Sequence, residues 1–228
     1  MRHILSLCDG WRYNPPIMNR RRSSSTRRPA RGTRRRESAP RATGRLRLIA
    51  GTYRRRQLPV LDRPGLRPTP DRIRETLFNW LTGELSGARV LDLYAGTGAL
   101  GLEALSRGAR QACFVEADSD VAACLGTNLD TLGANGRVHR QAALDFLAGA
   151  PETPFDLVFL DPPFRQGHAD DACRALEARG WLGEQAWIYL EVEHELTPAV
   201  PDHWQLHREV RAGDGIGRLY RRHASARP

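Results

Sequence analysis

Asp161, Pro162, Pro163 and Phe164 follow the apolar run FDLVFL (155–160), and their types suit a planar base that carries an amine. Such an amine is a poor nucleophile because its lone pair is delocalised into the ring. The Asp161 carboxylate and the Pro162 carbonyl, held rigid because consecutive prolines fix φ, could accept its two hydrogens and aim the lone pair at an electrophile. Phe164 could stack on the base. The alternative is a simple strand end, since prolines cannot continue a central ladder.

The glycines of DLYAGTGALG form a second candidate site. Gly96, Gly98 and Gly101 match the G-x-G-x-x-G pattern, which permits a tight turn and lets a ligand approach the backbone at a helix N-terminus. The pattern alone leaves three interpretations open: a nicotinamide dinucleotide, another nucleotide-like ligand, or a purely structural turn.

Two acids beside these glycines favour S-adenosylmethionine. Asp92 ends the strand before the loop, where a carboxylate would oppose a pyrophosphate but suit a cationic amino acid. Glu116 ends the next strand and could accept hydrogen bonds from ribose hydroxyls of either cofactor, so Asp92 is the discriminating residue. We therefore expect an in-line methyl transfer that depends on positioning and electrostatics, without a covalent intermediate. A nicotinamide-dependent dehydrogenase would leave Asp-Pro-Pro-Phe without a role.

Alternating strands and helices must position these residues. From residue 89 we predict the strands RVLDLYA, QACFVEAD, RVHRQAA, FDLVFLD and AWIYLEVE, with helices at GALGLEALSRG, DVAACLGTNLDTLG and around residues 168–180. The final WQLHREVRAGDGIGRLYRR predicts a hairpin. This order predicts a mostly parallel, doubly wound α/β sheet with one antiparallel strand, which brings Asp92, Glu116 and Asp161 to one edge.

A smaller unit precedes the sheet. RLRLIAGTYRRRQLPV predicts a hairpin whose tip carries Arg54, Arg55 and Arg56, which could contact phosphates or simply be solvated. DRIRETLFNWL predicts a helix capped by Thr69 or Asp71. The domains are therefore predicted as 1–44, an Arg-rich arm; 45–84, the hairpin and helix; and 85–228, the main domain.

Charge is concentrated in the arm. Residues 1–44 hold 12 arginines against two acids, a balance of +10, whereas the remaining 23 arginines and 24 acids leave −1 of the net +9. With few apolar residues the arm is expected to be disordered, either as a basic segment that attracts phosphates or as an extension upstream of the true start. The scattered cysteines, without a CxxC pair, indicate reduced thiols in a cytoplasmic protein. No apolar run is long enough to predict a membrane span.

Taken in order, RPTPDRIRETLFNWL, LDLYAGTGALGLEALSRGA, FVEAD and DLVFLDPPFRQG resemble the RsmD-type 16S ribosomal RNA guanine-N2 methyltransferases over about residues 45–222. The resemblance implies a Rossmann-like class I methyltransferase fold, S-adenosylmethionine as donor, and a guanine N2 of 16S rRNA as acceptor. The RNA would be presented in the small ribosomal subunit or its assembly intermediate. We expect a monomer without a metal.

The resemblance and the residue arguments together give three sets of candidate residues. The catalytic candidates are Asp161, Pro162, Pro163 and Phe164. The cofactor-binding candidates are Arg67, Thr69, Asp92, Tyr94, Ala95, Gly96, Gly98, Glu116, Ala117 and Asp145. The RNA-binding candidates are Arg54, Arg55, Arg56, Arg74 and Arg165.

Rival functions remain at this point. A DNA adenine-N6 or protein glutamine methyltransferase uses a similar tetrapeptide, commonly with Asn in place of Asp161. An NAD-dependent oxidoreductase would explain the glycines, and a non-catalytic RNA-binding protein would explain the arm. Glu191, Glu193, His194 and Glu195 could be drawn as a metal cluster, but alternation along a strand end favours a solvated edge.

Overall fold

A computed structural model describes residues 42–63, 66, 69–164 and 166–223, all within the unit Ser38–Pro228. The strands are β1 Ala42–Arg47, β2 Gln57–Leu61, β3 Arg89–Asp92, β4 Gln111–Glu116, β5 Gly136–Arg140, β6 Phe155–Leu160, β7 Leu182–Glu193, β8 Trp204–Ala212 and β9 Gly215–Arg222. The helices are α1 Asp71–Trp80, α2 Ala99–Ser106, α3 Ser119–Leu132, α4 Ala143–Leu147 and α5 His168–Ala178. Except for residues 42–44, the predicted arm lies outside the described residues, as do Arg67 and Arg165.

The central sheet has seven strands in the order β5-β4-β3-β6-β7-β9-β8. Neighbouring strands from β5 to β7 pair in parallel, and β9 runs antiparallel to both β7 and β8. This confirms the predicted Rossmann-like α/β fold with one antiparallel strand.

Helices cover both faces of this sheet because its inner strands are apolar on both sides. Along β6, Leu157 and Phe159 face the core formed with α1, α2 and α3, whereas Val158 and Leu160 face the core formed with α4 and α5. The buried strand ends one residue before Asp161, so the sheet holds this carboxylate in a fixed place.

Four features differ from the sequence prediction. Helix α1 has Pro70 as its N-cap and no side-chain capping hydrogen bond, so neither Thr69 nor Asp71 caps it as predicted. Helix α4 was not predicted, since its five residues are too few to show helical periodicity. Strand β7 has 12 residues and begins four positions before the predicted AWIYLEVE. Strand β1 starts at Ala42, within the predicted arm, and its register with β2 shifts between Ala42 and Gly44.

A buried acid attaches the β1–β2 hairpin to the main sheet. Glu103 of α2 is 0% exposed, and its carboxylate accepts hydrogen bonds from the backbone N–H groups of Ile49 (2.8 Å) and Ala50 (3.0 Å). The approach is close, because a Cβ on Gly51 would lie 1.7 Å from the Ser106 carbonyl oxygen. The hairpin is therefore fixed to the helix that follows the glycine loop.

A second acid attaches the C-terminal hairpin. Glu177 of α5 accepts hydrogen bonds from Arg222 (Nη2, 2.7 Å) and from the Trp204 indole (3.0 Å), and lies 2.9 Å from His203 Nε2. Burial alone would raise the pKa of Glu177, but the hydrogen bonds from Arg222, Trp204 and His203 outweigh it and lower the pKa to about 2. The ionised carboxylate therefore stabilises the folded state.

We expect Glu177→Gln to lower the free energy of unfolding at pH 7 by about 2 kcal/mol, since bonds to a charged acceptor are lost. Because the folded pKa lies below the ordinary carboxyl value, this contribution is present above about pH 4.5 and is lost as the pH falls towards 2. Urea unfolding at several pH values should show the two proteins converging in acid. A constant difference would contradict this assignment.

Within the part of the chain that the structure describes, no helix is both long enough and apolar enough to cross a membrane.

Candidate active site

A cavity of about 680 Å³ opens at the carboxyl ends of β3, β4 and β6. Strands β3 and β6 are neighbours in the sheet. The strands β4 and β5 follow β3 on one side, and β7, β9 and β8 follow β6 on the other, so the strand order reverses between β3 and β6. Such a switch point is where open α/β sheets bind ligands, and the volume lies within the range of small-molecule sites. The sequence-predicted residues that line the cavity are Thr69, Asp92, Tyr94, Ala95, Gly96, Glu116, Ala117, Asp145, Asp161 and Pro163.

The three glycines of the loop are required for different reasons. Gly96 lines the cavity with a φ of 51°, in the left-handed region. Gly98 has a φ of 76° as the N-cap of α2, and a Cβ there would lie 2.4 Å from the side chain of Leu125. A Cβ on Gly101 would lie 2.3 Å from the Phe114 ring. Gly96 therefore borders the cavity. Gly98 is required by the turn and by packing against Leu125, and Gly101 is required by packing against Phe114.

Asp92 is a buried acid at the floor of the cavity. It is 3% exposed, and its Oδ2 accepts a hydrogen bond from the Gly101 N–H at 2.9 Å. Burial raises the pKa of Asp92 to about 7; the Gly101 bond opposes this rise and the charge of Glu116 adds to it. A cationic ligand beside Asp92 would favour the ionised form.

Glu116 links two loops of the site. Its Oε2 accepts from the Gly96 N–H at 2.8 Å, and its Oε1 accepts from the Asp118 N–H at 2.7 Å. A carboxylate has about four acceptor positions, so two remain for ligand hydroxyls. Glu116 thus shapes the glycine loop and keeps capacity for a ligand.

The Asp161 motif meets the same cavity from β6. Asp161 and Pro163 line it, Pro162 is buried, and Phe164 is 38% exposed. Burial raises the pKa of Asp161 well above its usual range, and the nearby acids Glu191 and Asp92 raise it further. The motif therefore places a carboxyl group of raised pKa in the cavity that the glycine loop also lines, three residues before an exposed aromatic ring.

Several cavity residues were not predicted from the sequence. Arg63 lies 2.5 Å from Asp120 and 3.7 Å from Asp118, at the N-terminus of α3. His168 begins α5, and its ring stacks on Tyr94 with centroids 6.5 Å apart. The segment 141–145, which includes the first residues of α4, forms a further wall. Asp118 had a recognisable signal, because an Asp before a helix is a typical N-cap.

The RNA-binding candidates fall into different environments. Arg54, Arg55 and Arg56 are exposed on the hairpin tip, and Arg55 has a φ of 67°. Arg74 is 1% exposed; its guanidinium donates to Asp71, to the carbonyl oxygens of Thr69 and Arg47, and lies 3.7 Å from Glu103. The predicted RNA contact by Arg74 is therefore not supported, since its side chain joins α1 to the hairpin and α2.

The segment Glu191–Glu195 corrects another expectation. Glu191 is 8% exposed and accepts a hydrogen bond from the Tyr189 hydroxyl at 3.0 Å, so it does not belong to a solvated edge. His194 and Glu195 are exposed. Over residues 42–223, apart from the gaps given above, the structure contains no group of three or more His, Cys, Asp or Glu arranged to hold a metal ion.

Comparison with known proteins places the chain beside methyltransferases. The family model described as "Conserved hypothetical protein 95" matches residues 46–221. The chain is 52% identical to ribosomal RNA small subunit methyltransferase D of Escherichia coli K12, over 80% of this chain and 92% of that protein. It is 45% identical to the protein of the same name from Haemophilus influenzae, over 79% and 96%. The solved E. coli protein yhhF is 51% identical, with a TM-score of 0.74 over 80% of this chain and 100% of that chain.

Proposed function

Because this chain belongs to the RsmD family of methyltransferases, we propose that it transfers a methyl group from S-adenosylmethionine to the exocyclic N2 of a guanine in 16S rRNA. The observation that carries the proposal is one shared cavity. Asp161 lines the same space as Asp92, Gly96 and Glu116, so an amine held by Asp161 would lie beside a ligand on the glycine loop.

The residues present fit S-adenosylmethionine. Asp92 provides a buried carboxylate for the cationic amino-acid part, Glu116 retains acceptor capacity for ribose hydroxyls, and Gly96 leaves space for close approach. Ala117, Asp145, Thr69 and Tyr94 would complete the walls. When bound, S-adenosylmethionine supplies an electrophilic methyl group on a sulfonium.

The protein's own residues then act on the base. The Asp161 carboxylate accepts from the guanine amine, and the Pro162 carbonyl provides the second acceptor, so the lone pair of N2 is directed into the cavity. Phe164 stacks on the guanine ring. Arg54, Arg55 and Arg56 contact phosphates, which would position the RNA without reading its sequence. Since no covalent enzyme intermediate is needed, none of the free cysteines Cys113, Cys124 and Cys173 has to act as a nucleophile.

The 16S substrate is proposed to be bound in the small subunit or its assembly intermediate, by a monomer in the cytoplasm. An NAD-dependent enzyme is disfavoured, because the buried carboxylate of Asp92 would oppose the negative charge of the NAD pyrophosphate. A DNA adenine-N6 or protein glutamine methyltransferase would use a similar tetrapeptide, commonly with Asn in place of Asp161, and the relatives named as ribosomal RNA methyltransferases favour RNA as the substrate.

We expect calorimetry to show binding of S-adenosylhomocysteine and little binding of NAD. Since the pKa of Asp92 is raised to about 7 and a cation prefers its ionised form, affinity should rise as the pH increases through 7. Glu116→Ala should weaken binding, and Asp92→Asn should both weaken it and remove the pH dependence. Equal or tighter binding of NAD would overturn the assigned donor.

Phe164 and Leu206 are the exposed large hydrophobic residues of the described chain, at 38% and 52%. If Phe164 stacks on the base, Phe164→Leu should weaken productive binding of small subunits by roughly 1–3 kcal/mol, because the stacking plane is lost. Leu206→Ala, on β8, is the matched control and should leave binding unchanged. Equal effects of the two substitutions on the concentration dependence of single-turnover rates would contradict stacking.

A further inference from the structure

Glu191 lies beside Asp161 on the neighbouring strand. Strands β6 and β7 pair in parallel with Leu160 opposite Leu190, so the next residues are Asp161 and Glu191. Phe159 and Tyr189, two positions earlier, belong to the same core, so alternation directs both acids to that side of the sheet. Adjacent strands are about 4.8 Å apart, which places two carboxyl groups within direct electrostatic reach.

The structure around Glu191 holds its carboxylate in place. Tyr189 is 0% exposed and donates its hydroxyl to Glu191 Oε2 at 3.0 Å. Opposite Glu191 on β9 is Gly217, where a Cβ would lie 2.1 Å from the Tyr189 hydroxyl oxygen. The missing side chain therefore makes room for this hydrogen bond, which favours the ionised form of Glu191.

Among the described residues, the charges that act on Asp161 are negative. Asp92 from β3 and Glu191 from β7 both raise the pKa of Asp161, after burial. Burial also raises the pKa of Glu191, and the Tyr189 bond opposes that rise. On α1, the buried charged residue is Arg74. Its guanidinium donates hydrogen bonds to the Asp71 carboxylate and to the backbone carbonyls of Thr69 and Arg47.

On α2, the buried charged residue is Glu103, whose carboxylate forms an ion pair with the Arg107 guanidinium at 2.7 Å. From β9, the neighbouring cation is Arg218, which lies opposite Leu190 and 3.5 Å from Glu209 of β8. These flanking charges are thus engaged with other partners. The charges of described residues that act on the pKa of Asp161 are therefore those of Glu191 and Asp92.

We propose that Glu191, fixed by Tyr189, is a positioning residue that makes Asp161 the acceptor of the proton which the target amine loses. The proposal rests on the proposed function and extends it to a residue outside the cavity lining. A neighbouring fixed negative charge makes a carboxylate a stronger base. A base whose pKa lies near the working pH is the more effective proton acceptor.

The transfer balances with Asp161 as the base. The N2 lone pair forms a bond to the methyl carbon while the carbon–sulfur bond breaks, and its electron pair stays on sulfur as a neutral thioether. One N2 proton moves to Asp161, leaving a neutral methylated amine. Asp161 releases that proton to water after the product leaves.

The test compares pH profiles of single-turnover methyl transfer to small subunits lacking the modification, with the donor saturating. Ionised Asp161 is required, so the wild-type rate should rise with pH through the pKa of Asp161. In Glu191→Gln the like charge is gone, so this rise should move to lower pH by about one unit or more. The weaker base should also lower the alkaline plateau by about tenfold. Tyr189→Phe should move the rise in the same direction by less, since Glu191 is then more easily protonated.

Glu195→Gln, on the exposed segment after β7, is the matched control and should keep the wild-type profile. A Glu191→Gln profile lowered equally at every pH, without movement of the rise, would show a merely structural role and overturn the proposal. Absence of transfer by the wild-type protein would instead contradict the proposed function itself.

Discussion

Asp161→Ala is expected to lower the single-turnover rate of methyl transfer by about 10²–10³-fold, or ~2.7–4 kcal/mol, because a charged acceptor that acts in the transition state is lost. Binding of S-adenosylhomocysteine should change little. Asp161 lines the cavity beside the glycine loop, but the ligand contacts proposed there come from Asp92 and Glu116.

Asp156→Ala provides a matched control for this experiment. Asp156 lies near the opposite end of β6, is exposed, and accepts a hydrogen bond from the Arg89 N–H at 2.8 Å. Its loss should leave the rate constant for transfer near the wild-type value. If Asp161→Ala transfers methyl groups at that same rate, the Asp-Pro-Pro-Phe segment is only a strand-ending turn.

Glu103→Ala is expected to lower the free energy of unfolding by about 3–5 kcal/mol, the cost of breaking a buried ion pair by removing one partner. Glu103 and Arg74 are 0% and 1% exposed, and Arg107 also depends on Glu103. The hairpin backbone at Ile49 and Ala50 loses its acceptors as well, so hydrogen exchange should accelerate there first.

Glu75→Ala, an exposed acid on α1, is the control for charge removal and should stay within about 0.5 kcal/mol of wild type. Urea denaturation of the three proteins gives the comparison. A loss below about 1 kcal/mol in Glu103→Ala would show that Glu103 does not anchor the hairpin.

The fold was largely predictable because its strands and helices have strong local signals. The apolar runs around Val90, Phe114 and Val158 predict buried strands, and their alternation with helices predicts a parallel sheet. The terminal hairpin predicted the one antiparallel strand, β9. The short helix α4 escaped prediction because five residues carry little periodicity.

Long-range pairing explains what the sequence did not reveal about the site. Arg74 was predicted to contact RNA because it is an arginine in a segment near the site. Its burial, however, depends on Glu103 and on the Arg47 carbonyl, which lie far away in the chain. The neighbours of Glu191 are set by the register of β6 with β7, which its local sequence does not specify. The acids at the strand ends, by contrast, could be placed together in advance, because parallel strands end at a common edge.

The central claim is tested most directly by incubating the protein with labelled S-adenosylmethionine and small ribosomal subunits from cells lacking this enzyme. The 16S rRNA is then digested to nucleosides, and the labelled product is identified by mass spectrometry. We predict label in N2-methylguanosine with the wild-type protein, formed about 10²–10³-fold more slowly with Asp161→Ala. Label in adenine or in protein, or transfer that persists undiminished in Asp161→Ala, would contradict the account.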